Sequence, residues 1–106
     1  MRRIYISMPV RDLFEDEIHR KNEQLLELVG EYLHEAVELV DKCMDTAKYS
    51  ALECLGEDIK RMAGADYVLF ADGWETERSG KIEMACALKY GKDILLEQYN
   101  KIEEVY

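Results

Sequence analysis

A carboxylate that follows a glycine-containing loop gives this sequence its clearest chemical potential. The stretch Ala71-Asp72-Gly73-Trp74-Glu75-Thr76-Glu77-Arg78-Ser79-Gly80-Lys81-Ile82-Glu83 comes directly after the apolar run Tyr67-Val68-Leu69-Phe70. It leads into Ile82 to Tyr90, which has helical periodicity and stops at Gly91. A polar loop therefore joins the end of a buried strand to the start of a helix. In open α/β folds ligands bind at that edge of the sheet, and the N–H groups that open the helix favour an anion. Glu83 is expected in the first turn of this helix, aimed at the crevice. A fixed carboxylate there can act as a nucleophile. The plainer alternative is that it caps the helix. Ser79 and Gly80 can offer a hydroxyl and a backbone N–H to a ligand oxygen, or Ser79 can be no more than a cap. Trp74 is the single tryptophan. In a loop after Gly73 it can form an aromatic wall for a base, or it can pack the loop.

The elements that must hold these residues follow from periodicity. Arg3 to Ser7 reads as a first strand, with Ile4 and Ile6 alternating with Tyr5. Asp12 with Glu15 predicts the start of a long helix running to about Leu33. Ala36 to Val40 predicts a second strand, and Asp41 to Tyr49 is left without assignment. Ser50 and Glu53 form a capping box that opens a second helix, with Leu52, Leu55, Ile59 and Met62 on one side and Gly64 at its end. Tyr67 to Ala71 is the third strand, about Gly80 to Tyr90 the third helix, and Asp93 to Leu96 a fourth strand. Tyr99 to Tyr106 is expected to be a tail or short helix, with Ile102, Val105 and Tyr106 able to dock. The order βαβαβαβ predicts an α/β fold, a flavodoxin-like three-layer sandwich with a parallel sheet of about four to five strands.

Bulk properties narrow the function. At 106 residues the chain fits a single domain, residues 1–106. The net charge of −9 opposes a nucleic-acid polymer as partner but leaves room for a small nucleotide in a local pocket. No apolar run has membrane-spanning length, and no signal-peptide pattern follows Met1-Arg2-Arg3, so no membrane and a cytoplasmic location are expected. The three cysteines, Cys43, Cys54 and Cys86, show no zinc-like spacing and are assigned no chemistry. His19 and His34 lack a cysteine partner, so no metal site and no cofactor are expected.

Three stretches together resemble the nucleoside 2-deoxyribosyltransferase superfamily, in particular its small, often phage-encoded branch. They are Ile4-Tyr5-Ile6-Ser7-Met8-Pro9, then Glu57-Asp58-Ile59 with Ala65-Asp66, then Asp72-Gly73-Trp74 with Ser79-Gly80 and Glu83. The match spans about residues 3–96. The resemblance implies that Glu83 is the nucleophile at C1′ and that Asp58, otherwise an ordinary helix aspartate, holds the sugar hydroxyls. It implies that Tyr5, Ser7, Pro9 and Arg11 line the ligand, with Ser7 and Arg11 on a 5′-phosphate, and that Gly73, Trp74, Ser79 and Gly80 complete the rim. Met8 departs from the glycine usual in the branch, which puts phosphate binding in question. The implied activity is cleavage or transfer at the N-glycosidic bond of a deoxynucleoside or its monophosphate. The alternatives are a hydrolase of the same family and a non-catalytic module that binds nucleotide-derived ligands. A homodimer or larger homo-oligomer is expected, with Leu28, Tyr32, Leu52 or Met62 at its contact.

Overall fold

The computed structural model describes residues 1–43 and 47–105. Residues 44–46, within the stretch left without assignment, and Tyr106, expected to dock, lie outside the described residues. The elements are β1 (Arg2–Ser7), α1 (Glu15–Leu33), β2 (Val37–Leu39), α2 (Ala51–Ala63), β3 (Tyr67–Phe70), a 3₁₀ turn (Trp74–Thr76), α3 (Arg78–Lys89), β4 (Ile94–Gln98) and β5 (Lys101–Glu104). They form one five-stranded sheet in the order β2-β1-β3-β4-β5. The first four strands are parallel, with Ile4 opposite both Leu39 and Tyr67 and Val68 opposite Ile94.

Alternation along the strands builds the core on both faces of the sheet. Ile4 and Ile6 of β1 cluster with Leu25 and Val29 of α1, Leu69 and Leu95. Tyr5, between them, cluster with Val68, Phe70 and Ile94, and with Met62 of α2 and Ala87 of α3. The sheet is therefore covered by α1 on one side and by α2 and α3 on the other. Among the described residues, no helix is long and apolar enough to cross a membrane.

Local signals explain the helix ends. Ser50 Oγ accepts the Glu53 N–H at 3.2 Å, and the Glu53 carboxylate accepts the Ser50 N–H at 2.9 Å, so the expected capping box opens α2. Lys92 Nζ donates to the Ala63 and Ala65 carbonyls at 3.2 and 2.6 Å, which serves the other end of α2. The start of α1 differs from expectation. Asp12 has φ 65° in a turn closed by the Leu13 N–H to Val10 carbonyl bond of 3.1 Å. A short polar residue tolerates that left-handed position, so Asp12 shapes a turn and the helix starts at Glu15. Glu17 then accepts the Phe14 N–H at 3.1 Å.

The largest departure is at the C-terminal end. Lys101–Glu104 is a strand, antiparallel to β4, with Gln98 opposite Lys101 and Leu95 opposite Glu104. The sheet is therefore mixed, and the segment expected as a tail or short helix is an edge strand. Tyr99 and Asn100 both take positive φ, 52° and 60°, which a two-residue type I′ hairpin requires. Asn suits that conformation and Tyr does not, so Tyr-Asn carries a weak hairpin signal. The Tyr99→Asn, Asn100→Gly double variant should raise stability by about 1 kcal/mol. The check is the urea midpoint at unchanged slope; a lower midpoint would contradict the turn assignment.

The expected oligomer patch is also altered. Met62 is buried in the core, and Leu28 packs against the first cluster. Tyr32 and Leu52 are exposed.

Candidate functional site

Chain direction across the sheet reverses between β1 and β3, since β2 lies on one side of β1 and β3 on the other. The helices that follow two such strands lie on opposite faces of the sheet, and ligands bind at that edge, beyond the C-terminal ends of the strands. The loop after β1 and the loop from Ala71 to Glu77 both start here. Gly73 has φ 90°, and a Cβ on it would lie 3.1 Å from Pro9 Cγ, so the two loops pack closely. Arg11 and Glu77 form a second link, at 3.9 Å.

Beneath these loops lies a buried polar trio. Glu83 is 1% exposed. Its Oε1 accepts the Ser7 hydroxyl at 2.9 Å, and its Oε2 accepts the Tyr5 hydroxyl. Tyr5 and Ser7 are two apart on β1, so their side chains share the sheet face that α3 covers. Because α3 starts at Arg78, Glu83 lies in its second turn, not its first, and the carboxylate turns to the strand. The capping alternative for Glu83 is thereby replaced by a contact between helix and sheet.

Burial, then the Glu83 carboxylate, push the Tyr5 phenol above its ordinary value of 10.0. Tyr5 accordingly keeps its proton and remains a donor. Asp58 raises it further, and Arg61 lowers it, so both groups lie within electrostatic reach of the trio. The sign of the pH effect follows. Below pH 10 folded and unfolded chains both carry this proton. Above it only the unfolded chain releases it, so stability falls as pH rises, by at most about 1.4 kcal/mol per pH unit for one group. Denaturation midpoints measured across this range should fall more steeply for the parent than for Tyr5→Phe. Equal slopes would contradict a buried, protonated Tyr5.

With Leu52 facing the core, as the apolar spacing of α2 suggests, Asp58 would lie on the opposite side of the helix. The structure turns the helix so that Leu52 is 77% exposed and Asp58 only 9% exposed. Asp58 Oδ1 accepts the Cys43 N–H at 2.7 Å and lies 3.8 Å from Arg61 Nη1. That guanidinium nitrogen is buried, and among the described residues it has no hydrogen-bond partner. Asp58 and Ser79 both line a cleft of about 840 Å³, between α1 and α2, that also includes Ile6, Met8, Lys42 and Cys43. Such a volume suits a small organic ligand. Pro9 lines a smaller hollow of about 330 Å³ with Met8 and Asp72.

The other expected rim residues have different surroundings. Trp74 makes an edge-on contact with Phe70, centroids 5.5 Å apart, and is not among the residues lining the cleft. Gly80 is buried, and a Cβ on it would fall 2.2 Å from the Trp74 carbonyl oxygen, so it lets the 3₁₀ turn sit on α3. Arg11 is largely exposed.

Three neighbours of the site had escaped the sequence reading. Lys42 Nζ lies 5.4 Å from the centre of the Tyr5 ring. Arg61 stands three residues after Asp58, a spacing that brings helix side chains together. Glu97, 5% exposed at the end of β4, accepts the Asp72 N–H at 3.1 Å and the Asn100 N–H at 3.2 Å. It ties the Asp72 loop to the hairpin; a charged residue closing an apolar strand was the available signal. A scan against protein-family models and a search of curated proteins return no match for this chain.

Proposed function

We propose that this chain breaks the N-glycosidic bond of a deoxynucleoside or deoxynucleoside monophosphate, with Glu83 as nucleophile. Such chemistry defines a glycosyl-transfer enzyme with a carboxylate nucleophile. The particular class we infer is a nucleoside 2-deoxyribosyltransferase-like protein. The observation that carries the reading is the convergence of Tyr5 and Ser7 on Glu83. Two segments of the resemblance, far apart in sequence, meet at one carboxylate.

In this reading Glu83 attacks C1′, the C1′–N bond breaks, and its electrons leave with the base. A second base or a water then attacks C1′ and returns the carboxylate. Tyr5 and Ser7 orient Glu83. Asp58 accepts the sugar hydroxyls from the wall of the cleft, and the Arg61 guanidinium paired with it holds that carboxylate in place. Ser79 contributes to the rim. The strand order 2-1-3-4, with helices on both faces, supports a flavodoxin-like arrangement to which β5 is added. A homo-oligomer would complete the pocket from a second copy, with Tyr32 and Leu52 the remaining candidates for its contact.

One observation favours a second reading. Glu83 is sealed, and both its oxygens are already engaged. A carboxylate in that state can serve as a structural link in a module that binds nucleotide-derived ligands without turnover. Incubation with deoxynucleosides and their monophosphates, with and without a free base, separates the readings. Base exchange identifies a transferase and release of base alone a hydrolase; binding without either supports the module and contradicts the catalytic reading.

A further inference from the structure

We propose that Cys43 and Cys54 form a modification site, a dithiol at the cleft that a small disulfide of the glutathione class closes to an intramolecular disulfide. The two sulfurs lie 2.7 Å apart, although the residues are eleven positions apart in sequence. Side chains that merely pack come within about 4.0–4.5 Å. A formed S–S bond is about 2.05 Å, so the two sulfurs already stand within an ångström of bonding distance. Both cysteines are half-buried and both line the cleft, which gives a small reagent access. Cys86 is elsewhere, on α3 against the second core cluster.

The topology makes this pair a clamp between elements. Cys43 follows β2, and Cys54 lies in the first turns of α2. The Cys43 backbone already donates to Asp58, one turn beyond Cys54 on the same helix. Closing the pair fastens the segment after β2 to the helix that carries Asp58, and holds that N–H on the carboxylate. The chemistry balances by thiol–disulfide exchange. One cysteine thiolate attacks a sulfur of the reagent, the reagent S–S bond breaks, and one thiolate leaves. The second cysteine thiolate then attacks the cysteine sulfur of the mixed disulfide, and the second small thiolate leaves. Two electrons pass to the reagent, and the two cysteine protons end on the released thiols. The proposal concerns the cysteines alone and holds whether or not the chain turns over a nucleoside.

Native protein treated with oxidised glutathione tests it. Intact mass should fall by two hydrogens, reactive thiols should fall from three to one, and peptide mapping should join Cys43 to Cys54. A thiol reductant should reverse all three. Cys86→Ser should close in the same way, and Cys43→Ser should instead hold glutathione at Cys54. Amide exchange at Cys43 should slow in the closed form. Persistent glutathione adducts on Cys43 or Cys54 of the parent, a bond that requires Cys86, or disulfide-linked dimers would overturn the proposal. Unchanged exchange at Cys43 would overturn the clamp on Asp58.

Discussion

Glu83→Gln is expected to remove base release from a deoxynucleoside while the protein still folds. If this carboxylate is the nucleophile, kcat should fall by roughly a thousandfold or more, about 4 kcal/mol of barrier. Gln is the informative substitution. Its amide keeps an oxygen that can accept from one of the two hydroxyls, and its NH₂ can donate to the other. Glu83→Ala would leave Tyr5 and Ser7, both buried, without their acceptor. Each orphaned hydroxyl costs about 1–3 kcal/mol, so lost activity there would mix with lost stability. Circular dichroism and a denaturant midpoint near the parent's establish that Glu83→Gln is folded. Activity within about tenfold of the parent, roughly 1.4 kcal/mol of barrier, would mean that Glu83 links helix to strand and does not attack.

Gly80→Ala should destabilise the protein by about 3 kcal/mol. The sign is diagnostic, because Ala is favoured over Gly in a helix interior by roughly 1 kcal/mol. Gly80 lies inside α3, yet its Cβ would fall 2.2 Å from the Trp74 carbonyl oxygen. The obstacle is backbone, so no rotamer change relieves it. The 3₁₀ turn must move off α3, and its Thr76 and Glu77 N–H bonds back to Gly73 and Trp74 are put at risk. Thermal and urea unfolding check this; a variant as stable as the parent would show that the turn yields without cost. Because the same turn carries the loop beside Glu83, Gly80→Ala should also lower any activity.

Local rules made much of this fold legible. Ser50 and Glu53 are three residues apart and meet within one turn, so their capping box could be read directly. Ile4, Tyr5 and Ile6 alternate, and the strand follows from that alone. Features that depend on neighbours were not legible. Leu52 and Asp58 lie on one helix, and only packing against the sheet decides that Asp58 turns inward. Tyr99-Asn100 lacks a strong hairpin signature, and the turn forms because β5 gains a partner in β4. Glu83 was marked as a possible nucleophile by its position in the loop-to-helix motif. That Tyr5 and Ser7 would serve as its donors depends on where α3 starts, two residues earlier than the periodicity suggested. Cys43 and Cys54 show no recognisable spacing, and only the crossover between β2 and α2 brings them together.

The central claim is a covalent role for Glu83, and trapping tests it most directly. A slow 2-fluoro-2-deoxynucleoside should leave a glycosyl-enzyme that survives long enough for intact-mass analysis. The account predicts one adduct of the fluorosugar mass, mapped to the peptide containing Glu83, released by an added base or by water, and absent from Glu83→Gln. Turnover of the natural deoxynucleoside with no adduct, or with the sugar on any other residue, would contradict it.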